Sequence, residues 1–284
     1  MNQPTLSQAL TSAQTLGLDR LDAQLLLLHT LGKSADERAW LLAHDTDLLA
    51  DEQAARYQTL CLRRAQGEPV AYLVGHKEFF GLDLQVDPRV LVPRPDTETL
   101  VQWALDVLAI SEHTPPHEVL DLGTGSGAIA LAICHVCQSG SHRARVVAVD
   151  ASADALQVAR SNATRLGLPV EFMQSHWLNE VSGHFHVIVS NPPYVASGDP
   201  HLDALVHEPL QALAAGPNGL DDLQNIVQNA PRHLLAGGWL LLEHGHDQAT
   251  AVRGLLVQQG FMQVQSRKDL AGIERCSGGQ WPGG

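Results

Sequence analysis

The sequence predicts an α/β fold in which a mostly parallel, seven-stranded sheet carries helices on both faces and follows a small helical bundle. Three observations predict it. Beyond residue 93, short apolar runs alternate with longer helix-like ones, the pattern of βαβ units. A glycine turn, Gly123-Thr124-Gly125-Ser126-Gly127, divides one such strand-like run from the helix-like run Ala128-Ile129-Ala130-Leu131-Ala132-Ile133. Before residue 66, apolar residues recur at helical rather than alternating spacing.

Taken in order, Leu6, Leu10, Leu16 and Leu18 are followed by Leu21, Leu25 and Leu28, then Trp40, Leu41, Leu48 and Leu49, punctuated by Gly17 and Gly32. Residues 1–66 are therefore read as a helical bundle domain. It holds no catalytic constellation, so its role is packing or the recognition of a partner. Residues 67–92 change character, and the alternation Leu82-Asp83-Leu84-Gln85-Val86 predicts a hairpin linker. Residues 93–284 form the third segment. It opens with the turn Pro93-Arg94-Pro95-Asp96 ahead of a helix from Thr97 to Leu108, where Asp96 is expected to cap. Strands are expected near 118–122, 146–150, 169–173, 185–190, 239–243, 260–265 and 273–277. The short loop Lys268 to Gly272 makes the last strand antiparallel to the one before it.

Two motifs carry chemistry. The run Val187-Ile188-Val189-Ser190 ends in Asn191-Pro192-Pro193-Tyr194, where consecutive prolines stop the sheet and leave carbonyl oxygens without ladder partners. The Asn191 amide oxygen and the Pro192 carbonyl can accept both hydrogens of a substrate NH2 group, and the Tyr194 ring offers a face for the plane that bears it. The glycine turn permits close backbone approach and aims helix N–H groups at a bound molecule. The strand Val146-Val147-Ala148-Val149 then ends in Asp150, close to the roughly 20-residue spacing at which an acid meets a ribose diol. The turn lacks the third glycine of the dinucleotide fingerprint, and no Lys follows it as in a P-loop.

With these residues in view, the chain resembles the class I S-adenosylmethionine-dependent methyltransferases, with their Rossmann-like sheet, and within them the HemK/PrmC family of release factor glutamine N(5)-methyltransferases. The resemblance spans nearly the whole chain. It includes Gly67-Glu68-Pro69-Val70-Ala71-Tyr72-Leu73-Val74-Gly75, Glu78-Phe79-Phe80-Gly81, Val90 to Glu98 with its Pro-Arg-Pro-Asp-Thr-Glu segment, Glu208-Pro209, Gly237 to Glu243, and Lys268 to Arg275. It implies S-adenosyl-L-methionine as cofactor, held by Gly123, Thr124, Gly125, Ser126 and Gly127, by Asp150 on the ribose, by Trp177 beside the adenine, and by Asn191. It implies Asn191, Pro192, Pro193 and Tyr194 around the substrate amide, with Asn191, Pro192 and Tyr194 catalytic. The helical domain would help dock a release factor, whose Gly-Gly-Gln glutamine is the methyl acceptor. His176 stands where the family more often has an acid that accepts a hydrogen bond from the adenine amine, so that role is carried to Trp177 and not to His176.

Composition sets separate bounds. The 284 residues are 44% hydrophobic with mean hydropathy near zero, and acidic side chains outnumber basic ones 31 to 18, for a formal charge of -13. An acidic chain without a Lys/Arg cluster disfavours a phosphate-backbone partner. No stretch approaches the roughly 20 apolar residues of a membrane span, and Met1-Asn2-Gln3-Pro4 is not the start of a signal peptide, so the cytoplasm is expected. Cys134 and Cys137 lie on the apolar helix without a second Cys/His pair at finger spacing, and no metal site is expected. Gly278-Gly279-Gln280, the same tripeptide as the acceptor motif, is read as a tail beyond the last strand. Two other functions stay open: a nucleic-acid methyltransferase acting on an exocyclic base amine, and a nicotinamide-binding or non-catalytic module.

Overall fold

The structure, a computed structural model, describes residues 3–111, 115–139 and 143–283. The chain divides into two units, Met1–His76 and Lys77–Gly284. In the first, α1 (Leu6–Thr15), α2 (Arg20–Thr30), α3 (Arg38–Ala43), α4 (Asp51–Ala65) and α5 (Val70–Val74) enclose a core that includes Leu26, Leu27, Leu28, Leu41 and Leu49. The capping box expected of a Thr-x-x-Gln start opens α1: Thr5 Oγ1 accepts from Gln8 N at 3.2 Å, and Gln8 Oε1 accepts from Thr5 N at 2.9 Å. Residues 70–74, read as part of the linker, are helical, and Val70, Leu73 and Val74 pack into the same core.

The hairpin strands β1 (His76–Phe79) and β2 (Leu82–Gln85) pair with each other. Beyond them come α6 (Glu98–Ala109), β3 (His117–Leu122), α7 (Ala128–Ser139), β4 (Ala144–Asp150), α8 (Ala153–Leu166), β5 (Val170–Gln174) and β6 (Phe185–Ser190). The chain then continues through α9 (Asp221–Asn229), β7 (Leu234–Glu243), α10 (Ala249–Gln259), β8 (Met262–Lys268) and β9 (Glu274–Gln280). Among the described residues the main sheet has seven strands in the order β5-β4-β3-β6-β7-β9-β8. The ladders from β5 to β7 are parallel, and β9 runs antiparallel to both β7 and β8. This is the expected sheet with its antiparallel last strand.

Alternation along each strand sorts the core into two layers. Val119, Val187, Val189, Trp239 and Leu241 face α6 and α7, where Leu100, Trp103 and Ile133 are buried. Leu120, Leu122, Ile188, Leu240 and Leu242 face α9 and α10 through Leu223, Ile226, Val252 and Leu256. Continuous apolar runs in β3 and β6 follow from burial on both faces.

Three expectations change. Asp96 makes no cap: the α6 start carries no side-chain cap hydrogen bond, and the Asp96 carboxylate pairs with Arg275 at 3.3 Å. Strand β7 begins five residues earlier than read, at Leu234, because Gly237 and Gly238 continue the strand instead of ending a turn. Gly278-Gly279-Gln280 lies inside β9, between β7 and β8, where a Cβ at Gly278 would come within 2.6 Å of Leu241 Cδ2 and 2.7 Å of the Leu240 carbonyl. That tripeptide is a sheet element, not a tail.

Candidate active site

Strand register brings the two motifs together. Leu122 at the end of β3 pairs with Val149 on one side and Ser190 on the other. The next residues, Gly123, Asp150 and Asn191, therefore leave three neighbouring parallel strands at one level, strand to strand about 5 Å apart. The chain turns one way from β3 through β4 to β5 and the other way from β6 to β7, so this is the crevice at the topological switch point of an open α/β sheet.

The glycine turn needs its glycines for different reasons. Gly123, Gly125 and Gly127 all have positive φ, at 71°, 55° and 87°. A Cβ on Gly123 would lie 3.1 Å from the Trp177 ring, and one on Gly127 would lie 2.9 Å from Leu131 and 3.3 Å from Ala159. Gly125 has nothing within 4 Å of that position and lines the crevice. Its N–H donates to Asp150 Oδ2 at 2.9 Å, while Ser152 N–H donates to Asp150 Oδ1 at 2.9 Å. Burial raises the Asp150 carboxyl above the usual range, and these backbone donors restrain the rise.

Behind the turn, Asp121 is 0% exposed. Its Oδ2 accepts from Thr124 Oγ1 at 2.7 Å and from Ala130 N at 3.2 Å, and its Oδ1 has no hydrogen-bond partner among the described residues. Burial pushes this carboxyl up to about 7. Ser126 contributes its carbonyl, which accepts from Asn162 Nδ2 at 3.0 Å. Thr124, Ser126 and Gly127 thus build the wall, while Gly123 and Gly125 face the cavity.

Trp177 sits at φ 52° after Ser175 and His176, with its indole Nε1 donating to Asp222 Oδ1 at 2.9 Å at the start of α9. His176 is exposed at the rim. On the far side, the Asn191 side-chain NH2 donates to Thr97 Oγ1 at 3.2 Å. Pro192 and Pro193 are buried, and Pro193 lines the cavity. The Tyr194 carbonyl accepts from Gln248 Nε2 at 3.0 Å, and its phenol points at the buried Glu243 carboxylate, 3.5 Å from Oε1. A cavity of about 280 Å³ joins Gly123, Gly125, Asp150, Trp177, Asn191 and Pro193.

Sequence reading missed several members of this neighbourhood. Asp222 holds the Trp177 ring, Glu243 lies beneath Tyr194, and Pro209, Gln211 and Ala212 also face the cavity. The last three are held by Glu208, which is buried and accepts from Val92 N at 3.0 Å and from Arg94 at 2.5 Å. Arg94 and Glu208 therefore strap the segment after Tyr194 onto the segment before α6. Among the described residues, no group of three His, Cys, Asp or Glu side chains could hold a metal ion, and no helix is long and apolar enough to cross a membrane. Cys134 and Cys137 are buried in α7, and burial pushes both thiols up to about 11.

Fold and crevice together define a class I methyltransferase domain. A methyltransferase from Pyrococcus furiosus superposes with a TM-score of 0.51 at 20% identity, covering 82% of this chain and 100% of the other. The catalytic domain of hMettl16 in complex with a MAT2A 3'UTR hairpin gives 0.56 at 17% identity, covering 84% and 85%. Residues 5–75 match the PrmC N-terminal domain and residues 104–216 the methyltransferase small domain. The chain is 48% identical to the release factor glutamine methyltransferase of Bordetella pertussis, over 93% of this chain and 95% of that one. It is 47% identical to that of Burkholderia pseudomallei, over 99% of both. The chain belongs to the release factor glutamine methyltransferase family.

Proposed function

We propose that this chain transfers a methyl group from S-adenosyl-L-methionine to the side-chain amide nitrogen of the glutamine in the Gly-Gly-Gln motif of peptide chain release factors. The observation that carries the reading is the shared level of Gly123 and Asn191 at the ends of paired strands, which sets a cofactor turn beside an amide-holding turn. Near full-length relatives of that name support the choice of acceptor.

The residues suit such a cofactor. Asp150 keeps free lone pairs for ribose hydroxyls, Trp177 offers a ring held by Asp222, and the bare Gly125 leaves room for close approach. Thr124, Ser126 and Gly127 shape the turn that Gly123 and Gly125 present. When bound, S-adenosyl-L-methionine supplies an electrophilic methyl on a sulfonium.

An amide nitrogen is a poor nucleophile because its lone pair is delocalised into the carbonyl. Asn191 Oδ1 and the Pro192 carbonyl would accept its two hydrogens, aiming the nitrogen and favouring the build-up of positive charge on it during transfer. Pro193 closes the wall, and Tyr194 backs the amide plane. One of the two hydrogens leaves as a proton once the new N–C bond has formed. Residues 1–66 would recognise the release factor, with residues 67–92 as linker and residues 93–284 carrying the chemistry. The reaction belongs to the cytoplasm, where release factors act, and neither nucleic acid nor membrane is required.

The test is methyl transfer from labelled S-adenosylmethionine to purified release factor, to the same factor with its Gly-Gly-Gln glutamine changed to Ala, and to total RNA and DNA. Label on the intact factor alone is the expected result. Label on nucleic acid alone would assign the turn to a base amine.

A further inference from the structure

Two stretches far apart in sequence contribute wall to the one crevice: Arg89, Val90 and Leu91 in the first, Pro209, Gln211 and Ala212 in the second. The residue that follows the first, Val92, and the residue that precedes the second, Glu208, are joined directly. Val92 N–H donates to Glu208 Oε2 at 3.0 Å, and Arg94 Nη2 donates to Glu208 Oε1 at 2.5 Å. The Glu208 side chain is 2% exposed and that of Arg94 36%.

The first stretch lies outside helix and strand, between β2 and α6, so the buried Val92 N–H is satisfied by a carboxylate and not by a strand neighbour. The second is closed at its far end, where Val195 N donates to the Leu213 carbonyl at 2.9 Å and Ala215 N to the Val195 carbonyl at 3.0 Å. Its near end is fixed through Glu208. A carboxylate taken out of water is costly unless its acceptors are matched by donors, and both donors here sit on the other stretch. The acid therefore favours the arrangement in which the two stretches meet.

Both stretches reach the groups assigned to the nucleoside. Asp150 and Trp177 line the same cavity. Arg89 donates to Gln157 Oε1 at 3.2 Å on α8, the helix that follows Asp150. Gly216, just past the second stretch, packs against Asp221, next to the Asp222 that holds the Trp177 ring.

We propose that Glu208 is a positioning residue for the cofactor, its carboxylate clasping these two stretches together and so setting how fast S-adenosyl-L-methionine leaves the crevice. The inference rests on the reading of the crevice as the S-adenosyl-L-methionine site. A loosened wall must be ordered again around each bound molecule, while the way in is no narrower, so the loss falls on release more than on capture.

The test uses the full chain and labelled S-adenosylmethionine chased with excess unlabelled ligand, with association measured on the same samples. Glu208→Ala is expected to raise the dissociation rate constant by about 30-fold with association within about 3-fold of wild type. Glu208→Gln keeps the volume but offers one acceptor oxygen to two donors, and Arg94→Ala leaves the Val92 bond in place; each should raise dissociation by about 5-fold. The variant carrying both Arg94→Ala and Glu208→Ala should release no faster than Glu208→Ala alone. A protein that is merely less stable has fewer competent molecules, each releasing at the wild-type rate, so the rate constant separates the clasp from a loss of fold. Without any ligand, the Val92 amide should exchange its hydrogen faster in Glu208→Ala than in the wild type. Wild-type release by both Arg94→Ala and Glu208→Gln overturns the proposal, even if Glu208→Ala fails to fold. A wild type that does not bind S-adenosylmethionine, its Val92 amide still protected, would instead remove the cofactor reading and the proposal with it.

Discussion

The indole Nε1 of Trp177 donates to the carboxylate of Asp222 at 2.9 Å, joining the turn after β5 to the first turn of α9 across the crevice. Trp177 has a positive φ of 52°, a conformation that an aromatic residue adopts only when its surroundings enforce it. Asp222 supplies part of that enforcement. Asp222→Ala is expected to weaken S-adenosylmethionine binding about 10-fold, equivalent to about 1.4 kcal/mol, while Asp222→Asn, which keeps an acceptor oxygen, stays close to wild type. Titration calorimetry on the two variants checks this.

Gly125 and Gly127 separate binding from folding. Gly125→Ala places a methyl in the crevice without striking protein atoms, so it should cost about 1 kcal/mol in backbone strain and abolish cofactor binding. Gly127→Ala adds the same strain to a contact 2.9 Å from Leu131, and is expected to cost about 2–3 kcal/mol of stability. Urea unfolding with and without S-adenosylmethionine distinguishes the two outcomes.

If Asp150 holds the ribose as proposed, cofactor binding depends on pH. Its carboxyl is raised by burial, and the ionised form is the one that accepts from ribose hydroxyls. Affinity should therefore fall as pH drops through the raised value, and Asp150→Ala should bind weakly at every pH. Calorimetry across mildly acid to neutral pH reads both.

Asp121 gives stability its own pH dependence. The folded pKa, about 7, lies above the ordinary 3.8, so the neutral form is favoured in the fold. That stability is fully present below the unfolded value and is lost as pH rises toward the folded one. Asp121→Asn keeps an acceptor for Thr124 and Ala130 and cannot ionise. Between pH 5.5 and 8 the variant should gain about 2 kcal/mol on the wild type, measured by urea unfolding.

Much of this was legible because the signals are local. Strand β6 is legible at its observed bounds because Phe185–Ser190 is a short apolar run closed by two prolines, and β3, expected over 118–122, begins one residue earlier at His117 and ends as expected because glycines follow it. Helix α5 was missed since Val70–Val74 is a single turn and a half between Pro69 and Gly75, which look like loop punctuation. Gly278 and Gly279 looked like a tail because glycine in a strand is disfavoured by propensity; here Leu240, Leu241 and Phe261 crowd the positions and exclude side chains. Asp121, Asp222 and Glu243 had no spacing to betray them. Each is a single acid whose partner lies on another element, so only the fold reveals what it holds.

The proposed role of Asn191 in aiming the substrate amide is read by single-turnover methyl transfer by Asn191→Ala on release factor, with S-adenosylmethionine affinity measured on the same sample. The single-turnover rate constant is expected to fall by on the order of 100-fold or more while cofactor affinity stays within a few-fold. Turnover at the wild-type rate, with the methyl still on the Gly-Gly-Gln glutamine, would contradict it.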